Sequence, residues 1–147
     1  MLMQKKLVGI VVCMVVALSF FSSTTAADPD AQLEIKIVGG LPLPLFFHYV
    51  GGAVANIGDT SAYNITIIMT IRGGILGTTN ETVVGYYDEL PPQQAYGVGI
   101  NNAYGFGLVT ITLTASASNT ENVTGIAHGV QMGGFTWIPF SWIHLIT

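Results

Sequence analysis

The chain has little charge and almost no cysteine, and both shortages restrict what it can be. Only 8% of its 147 residues are charged while 50% are hydrophobic, a balance opposite to that of disordered chains. Its single cysteine, Cys13, lies in an apolar N-terminal stretch. A chain processed beyond that stretch has no cysteine, which excludes disulfides, thiolate chemistry and cysteine metal sites from it. An exported domain of about 120 residues then depends on its hydrophobic core.

Basic residues are also scarce, and they are unevenly placed. Two of the four, Lys5 and Lys6, stand at the N-terminus. Residues 27–147 contain only two basic residues, Lys36 and Arg72, and eight acidic residues. Their formal net charge is therefore two minus eight, or −6. Because a nucleic-acid backbone is bound by clustered Lys and Arg, the composition argues against a nucleic-acid partner.

The order of residue types at the N-terminus predicts export. A positive region at residues 1–6 precedes the apolar stretch 7–21, and small residues follow up to Ala26 and Ala27. This is the order of a secretory signal, and the apolar stretch is shorter than the about 20 residues of a spanning helix. We expect a signal helix over residues 1–26, cleaved after Ala26 or Ala27, and a product that is extracellular or on the cell surface. An uncleaved membrane anchor is the alternative.

The rest of the chain alternates with the period of two that strands have. Residues 63–72 and 107–117 place apolar side chains on one face and mainly Thr, Ser and Asn on the other. Further strands are predicted over 33–37, 49–55, 79–87, 95–100 and 121–132.

About seven strands without intervening helices predict an all-β fold. We expect an immunoglobulin-like antiparallel sandwich over residues 33–147, and a closed barrel is the alternative. The last predicted strand shifts the phase of its apolar residues, which predicts a bulge near Gly125.

Three short motifs resemble a known family. They are the Asn-x-Gly-Asp turn at residues 56–59, Ala-x-Asn-Ile-Thr at 62–66, and Gly-Gly-Ile-Leu-Gly at 73–77. Together they resemble small immunoglobulin-like domains of archaeal and bacterial cell-surface proteins, related to the adhesion modules called CARDB. The likeness covers roughly residues 50–135. The resemblance implies a sandwich fold and a role as a stalk, spacer or adhesive module.

Three Asn-x-Thr sequons begin at Asn64, Asn80 and Asn122. In an exported protein whose host has the machinery, such sequons accept N-linked glycans. Asn64 and Asn122 fall on the polar phase of their strands, where a glycan would project into water. The alternative is that Asn and Thr are simply common in exposed strands.

No pattern of catalytic or metal-binding residues stands out in the sequence. His48, His128 and His144 are scattered, and none has a carboxylate or a second histidine at ligand spacing. His128 shares its phase with Ile126 and Val130, which predicts a histidine in the core or at its rim.

Serine and acidic residues give no stronger signal. No serine occupies a nucleophile-elbow pattern, and the Asp88–Glu89 pair lies in a proline turn. Asp59 belongs to a turn, with a calcium site formed with loop carbonyls as the alternative. We therefore expect no enzymatic activity and no metal or other cofactor. An extracellular enzyme, or an enzyme inhibitor, is the less favoured alternative.

Apolar residues accumulate in two segments without Asp, Glu, Lys or Arg, 41–47 and 135–146. Exposed apolar areas usually mark an interface. The candidate interface residues are Phe46, Phe47, Trp137, Phe140 and Trp142. The alternative for the second segment is an edge strand whose aromatic side chains close one end of the sandwich. The sequence thus predicts a non-enzymatic exported module that docks a cell-surface protein or another copy of itself, with a membrane-anchored stalk as the alternative.

Overall fold

A computed structural model describes residues 31–39, 50–139 and 143–146. These residues form nine β-strands and one 3₁₀ helix, Ile75–Gly77. The strands are β1 (Leu33–Val38), β2 (Val50–Asn56), β3 (Ala62–Gly73), β4 (Thr79–Leu90), β5 (Ala95–Ile100), β6 (Gly105–Ala117), β7 (Thr120–Gly133), β8 (Phe135–Trp137) and β9 (Ile143–Ile146). No helix within these ranges is long and apolar enough to cross a membrane.

Several sequence-based predictions fall on other parts of the chain. The signal helix over residues 1–26 and its cleavage at Ala26 or Ala27 lie outside the described residues. The same is true of four candidate interface residues, Phe46, Phe47, Phe140 and Trp142.

The strands form two antiparallel sheets that pack as a sandwich. The smaller sheet has the order β1-β2-β5, and the larger has the order β4-β3-β6-β7. At the far edge of β7, β8 pairs with its second half and β9 with its first half. β1 lies against β7 and β5 lies near β4, so the core lies between the sheets. The predicted all-β fold of two antiparallel sheets is confirmed, and the described strands do not close into a barrel.

All seven predicted strands are present, most of them longer than expected. The central strands β3 and β6 bury the phase that the sequence predicted. Their inward side chains are at most 3% exposed: Ile65, Ile67, Met69, Ile71, Val109, Ile111, Leu113 and Ala115. The two further strands, β8 and β9, lie in the C-terminal apolar segment, in agreement with the edge-strand alternative for that segment.

β7 departs from its prediction. Its ladder with β6 is regular at Gly125, and the irregularity lies between Ala115 and Ala117 instead. The inward positions of β7 from its middle onward are Gly125, Ala127, Gly129 and Gln131, and the outward ones are Ile126, His128, Val130 and Met132. The apolar phase of β7 therefore faces outward. The predicted bulge near Gly125 and the predicted core or rim position of His128 are both wrong.

Lack of space explains the small residues on the inner side of β7. A Cβ atom on Gly129 would lie 2.7 Å from the carbonyl oxygen of Trp137. The same constraint applies to β2, where a Cβ on Gly52 would lie 2.5 Å from Cδ2 of Leu113. Glycine at these positions allows backbone and neighbouring strands to approach closely.

The end of β2 is fixed by the buried side chain of Asn56. Its Oδ1 accepts hydrogen bonds from the backbone N–H groups of Gln32 (3.3 Å) and Gly58 (3.1 Å). Its Nδ2 donates to the carbonyls of Thr60 (2.7 Å) and Leu90 (3.0 Å). The Asn-x-Gly-Asp turn thus ties β2 to the end of β4. No buried side-chain polar atom of the described residues lacks a hydrogen-bond partner.

Candidate binding surface on the larger sheet

The middle of the outer face of the larger sheet is rich in threonine, with the apolar Ile68 and Val84 among these residues. These side chains stand in rows across the strands, because the residue paired with each outward residue also points outward. The hydroxyls of Thr70 and Thr82 are 3.3 Å apart, and those of Thr114 and Thr124 are 3.2 Å apart. This is the polar face that the alternation of β3 and β6 predicted.

Large apolar side chains cluster at one end of the larger sheet. We call this cluster the apolar patch, and its members are between 49% and 96% exposed: Ile75, Leu76, Tyr104, Phe106, Leu108, Met132 and Trp137.

The apolar patch is continuous across three strands. Phe106 of β6 pairs with Met132 of β7, and one row further Leu108 pairs with Val130, which pairs with Trp137 of β8. The rings of Tyr104 and Phe106 meet edge to face with centroids 6.1 Å apart.

The 3₁₀ helix brings Ile75 and Leu76 to the same end of the larger sheet. A Cβ atom on Gly107 would lie 3.2 Å from Cγ1 of Ile75, so this helix lies directly beside β6. Leu76 follows in the left-handed region at φ 59° and is almost fully exposed.

Sequence reasoning found only Trp137 of this cluster. Phe106 and Leu108 were missed, although the sequence contains a signal for them. They share the phase of the polar Thr110, which places both on the face turned away from the core. Met132 was missed because the apolar phase of β7 was taken for its buried phase.

A row of polar side chains lies beside the apolar patch. Its members, on adjacent strands β4, β3, β6 and β7, are Asn80, Arg72, Thr110 and His128. The Thr110 hydroxyl and Nδ1 of His128 are 3.2 Å apart. No hydrogen bond or ion pair joins the Arg72 guanidinium to any of the described residues, and the side chain is exposed.

A groove of about 440 Å³ crosses the face between this polar row and Leu108. Its lining residues are Arg72, Gly73, Leu108, Val109, Thr110, His128 and Gly129. Since Arg72, Thr110 and His128 are outward residues of one row, they form one wall and Leu108 forms the other. The groove therefore has a polar side and an apolar side.

The three sequons also lie on the outer surface of the larger sheet. Asn64, Asn80 and Asn122 are all exposed. Asn64 has a positive φ of 53°, and its Nδ2 donates to the hydroxyl of Ser118 at 3.3 Å. Asn80 is the cross-strand partner of Arg72. Their glycosylation stays a prediction.

Acidic and histidine side chains do not converge within the described part of the chain. It contains no group of three or more His, Cys, Asp or Glu residues that could hold a metal ion. Asp59, Asp88 and Glu89 are exposed, and Asp59 lies in the turn held by Asn56.

Comparison with known proteins gives distant structural matches. No family model matches the chain, and no curated protein matches it in sequence. Among solved structures, the sporulation control protein Spo0M of Bacillus subtilis matches with a TM-score of 0.38 and 12% sequence identity. The match covers 70% of this chain and 49% of Spo0M, so the chain spans about half the length of that protein.

Proposed function

We propose that the protein is an exported, non-enzymatic module that associates with a second copy of itself through the apolar patch. Export is supported by the signal-like order of residues 1–27. An immunoglobulin-like, CARDB-like fold is supported by the two-sheet sandwich and by the turn motif that Asn56 anchors.

The observation that carries the proposal is the exposed surface of the large apolar residues in the patch. A large side chain has about 200 Å² of surface, so the exposures of the seven members sum to on the order of 900 Å². The largest apolar patch on a typical monomer is about 300–600 Å². A stable interface buries about 800 Å² on each partner, so the patch has the size of one half of such an interface.

The placement of the charges leaves the apolar patch open to a second copy. Residues 27–147 carry a formal charge of −6, so two copies repel each other over most of their surface. The described acids lie on β1, in the turn after β2, on β4 and at the start of β7, and none belongs to the patch. Contact through the patch therefore buries no carboxylate and brings the copies together at an uncharged end.

Sedimentation velocity over a range of concentrations tests the association. The wild-type secreted protein is expected to dimerise, and the double variant Leu108→Thr with Met132→Thr to weaken the dimer at least about tenfold, or about 1.4 kcal/mol. Threonine keeps strand propensity at both positions. The matched control is Ile68→Thr with Val84→Thr, which removes two apolar side chains of the same face, 40% and 43% exposed, outside the patch.

Two results would contradict self-association through the patch. A wild-type protein that stays monomeric at high concentration contradicts the proposal, and so does a patch variant that dimerises as the control does. N-terminal sequencing of the sample should find Ala27 or Asp28 first; retention of residues 1–26 would favour the membrane-anchored stalk.

A further inference from the structure

We propose that the groove beside Arg72 binds the carboxylate of an acidic saccharide, such as a uronic acid unit. This site goes beyond the proposed self-association. It lies on the opposite side of Leu108 from the rest of the apolar patch.

The cation in the groove has no anionic partner within the described part of the chain. Arg72 is one of two basic residues after residue 27, and no described residue pairs with its guanidinium. The acid nearest in register, Glu81, pairs with Ile71 and so belongs to the opposite phase of β4. A guanidinium binds a carboxylate through two parallel hydrogen bonds, so Arg72 is the residue of the site that would bind the carboxylate of the ligand.

The other wall residues suit a ligand rich in oxygen atoms. Thr110 and His128 place a hydroxyl and an imidazole in the same row as Arg72. Leu108, 70% exposed, faces them across the groove and offers an apolar surface for the C–H face of a sugar ring. The volume of about 440 Å³ lies within the range of about 300–1,000 Å³ for small-molecule sites.

The position of the groove favours a saccharide over an extended peptide. Peptides that bind to sheets add a strand to an open edge and are held by backbone hydrogen bonds. This groove crosses β3, β6 and β7, each of which has neighbouring strands on both sides. The ligand must therefore be held mainly by side chains, as sugar hydroxyls and carboxylates can be.

Isothermal titration calorimetry with two matched probes tests the proposal on the secreted protein. The probes are trigalacturonic acid and its methyl ester, which has the same rings without the charge. We expect the acid to bind and the ester to bind at least tenfold more weakly. Arg72→Gln is expected to weaken binding of the acid at least tenfold, and Arg72→Lys to weaken it less. The control is Lys36→Gln, which removes a cation from the smaller sheet, away from the groove, and should leave binding of the acid unchanged.

Several results would overturn the proposal. Equal binding of acid and ester excludes carboxylate recognition, and wild-type binding by Arg72→Gln excludes this groove. Absence of binding at millimolar acid, or tighter binding of a glutamate-containing tripeptide, excludes an acidic saccharide as the ligand. Circular dichroism of each variant confirms that it is folded. A monomeric protein that binds the acid through Arg72 would contradict the self-association and leave this site standing.

Discussion

A single buried amide, that of Asn56, connects parts of the chain that are far apart in sequence. Besides its four side-chain hydrogen bonds, its backbone N–H donates to Gln94 and its carbonyl accepts from Gln93. The sequence predicted a turn at this residue because Gly and Asp follow it. It could not predict the bonds to Gln32 and Leu90, since these depend on how distant strands end beside one another.

We predict that Asn56→Ala lowers the free energy of unfolding by about 3 kcal/mol, because it leaves buried backbone groups without partners. Urea unfolding measures the change. Asn119→Ala is the matched control, since Asn119 also accepts from Tyr63 and donates to Ser61 but is exposed. Water can replace its partners, so its loss should cost less than about 1 kcal/mol. Equal losses in the two variants would contradict the role given to Asn56.

His128 marks a limit of sequence reasoning about single residues. Its phase relative to Ile126 and Val130 is as predicted, but periodicity does not say which phase faces the core. On β3 the buried phase is obvious, because only one face is consistently apolar. On β7 the inner positions from the middle onward are Gly125, Ala127, Gly129 and the polar Gln131, so the more apolar phase is the outer one.

At the scale of elements, β2 and β6 approach closely because glycine occupies position 52. We predict that Gly52→Ala lowers the free energy of unfolding by about 1–3 kcal/mol, since its Cβ would collide with Leu113. Leu113→Ala alone should cost about 2–5 kcal/mol by opening a cavity. In the Leu113→Ala background the added methyl enters that cavity, so Gly52→Ala should cost little or nothing there.

A double-mutant cycle measured by chemical denaturation checks this coupling. Additive losses would mean that the two residues do not limit the distance between the sheets. The strands β3 and β6 were predictable because each shows local alternation. Contacts between the sheets, such as Gly52 with Leu113, join residues about sixty positions apart and leave no local signal.

At the scale of the whole molecule, polarity is distributed unequally over the larger sheet. One end of its outer face is apolar and uncharged, its middle is rich in threonine, and Arg72 stands at the boundary between them. Sequence reasoning predicted an apolar interface with Trp137, because aromatic residues accumulate in the C-terminal segment. It missed Phe106, Leu108 and Met132, because β6, β7 and β8 bring these residues together only when they pair.

The contact between two copies is tested most directly by distances between spin labels, since residues 27–147 contain no cysteine. Asn102→Cys places a label beside the patch, and Thr60→Cys places one at the other end of the sandwich; both positions are exposed. A strand of twelve residues separates these ends by about 40 Å. We predict a shorter distance between copies for Asn102 labels than for Thr60 labels, and loss of both signals on dilution with unlabelled protein. A shorter distance for Thr60, or no signal between copies at either position, would contradict association through the patch.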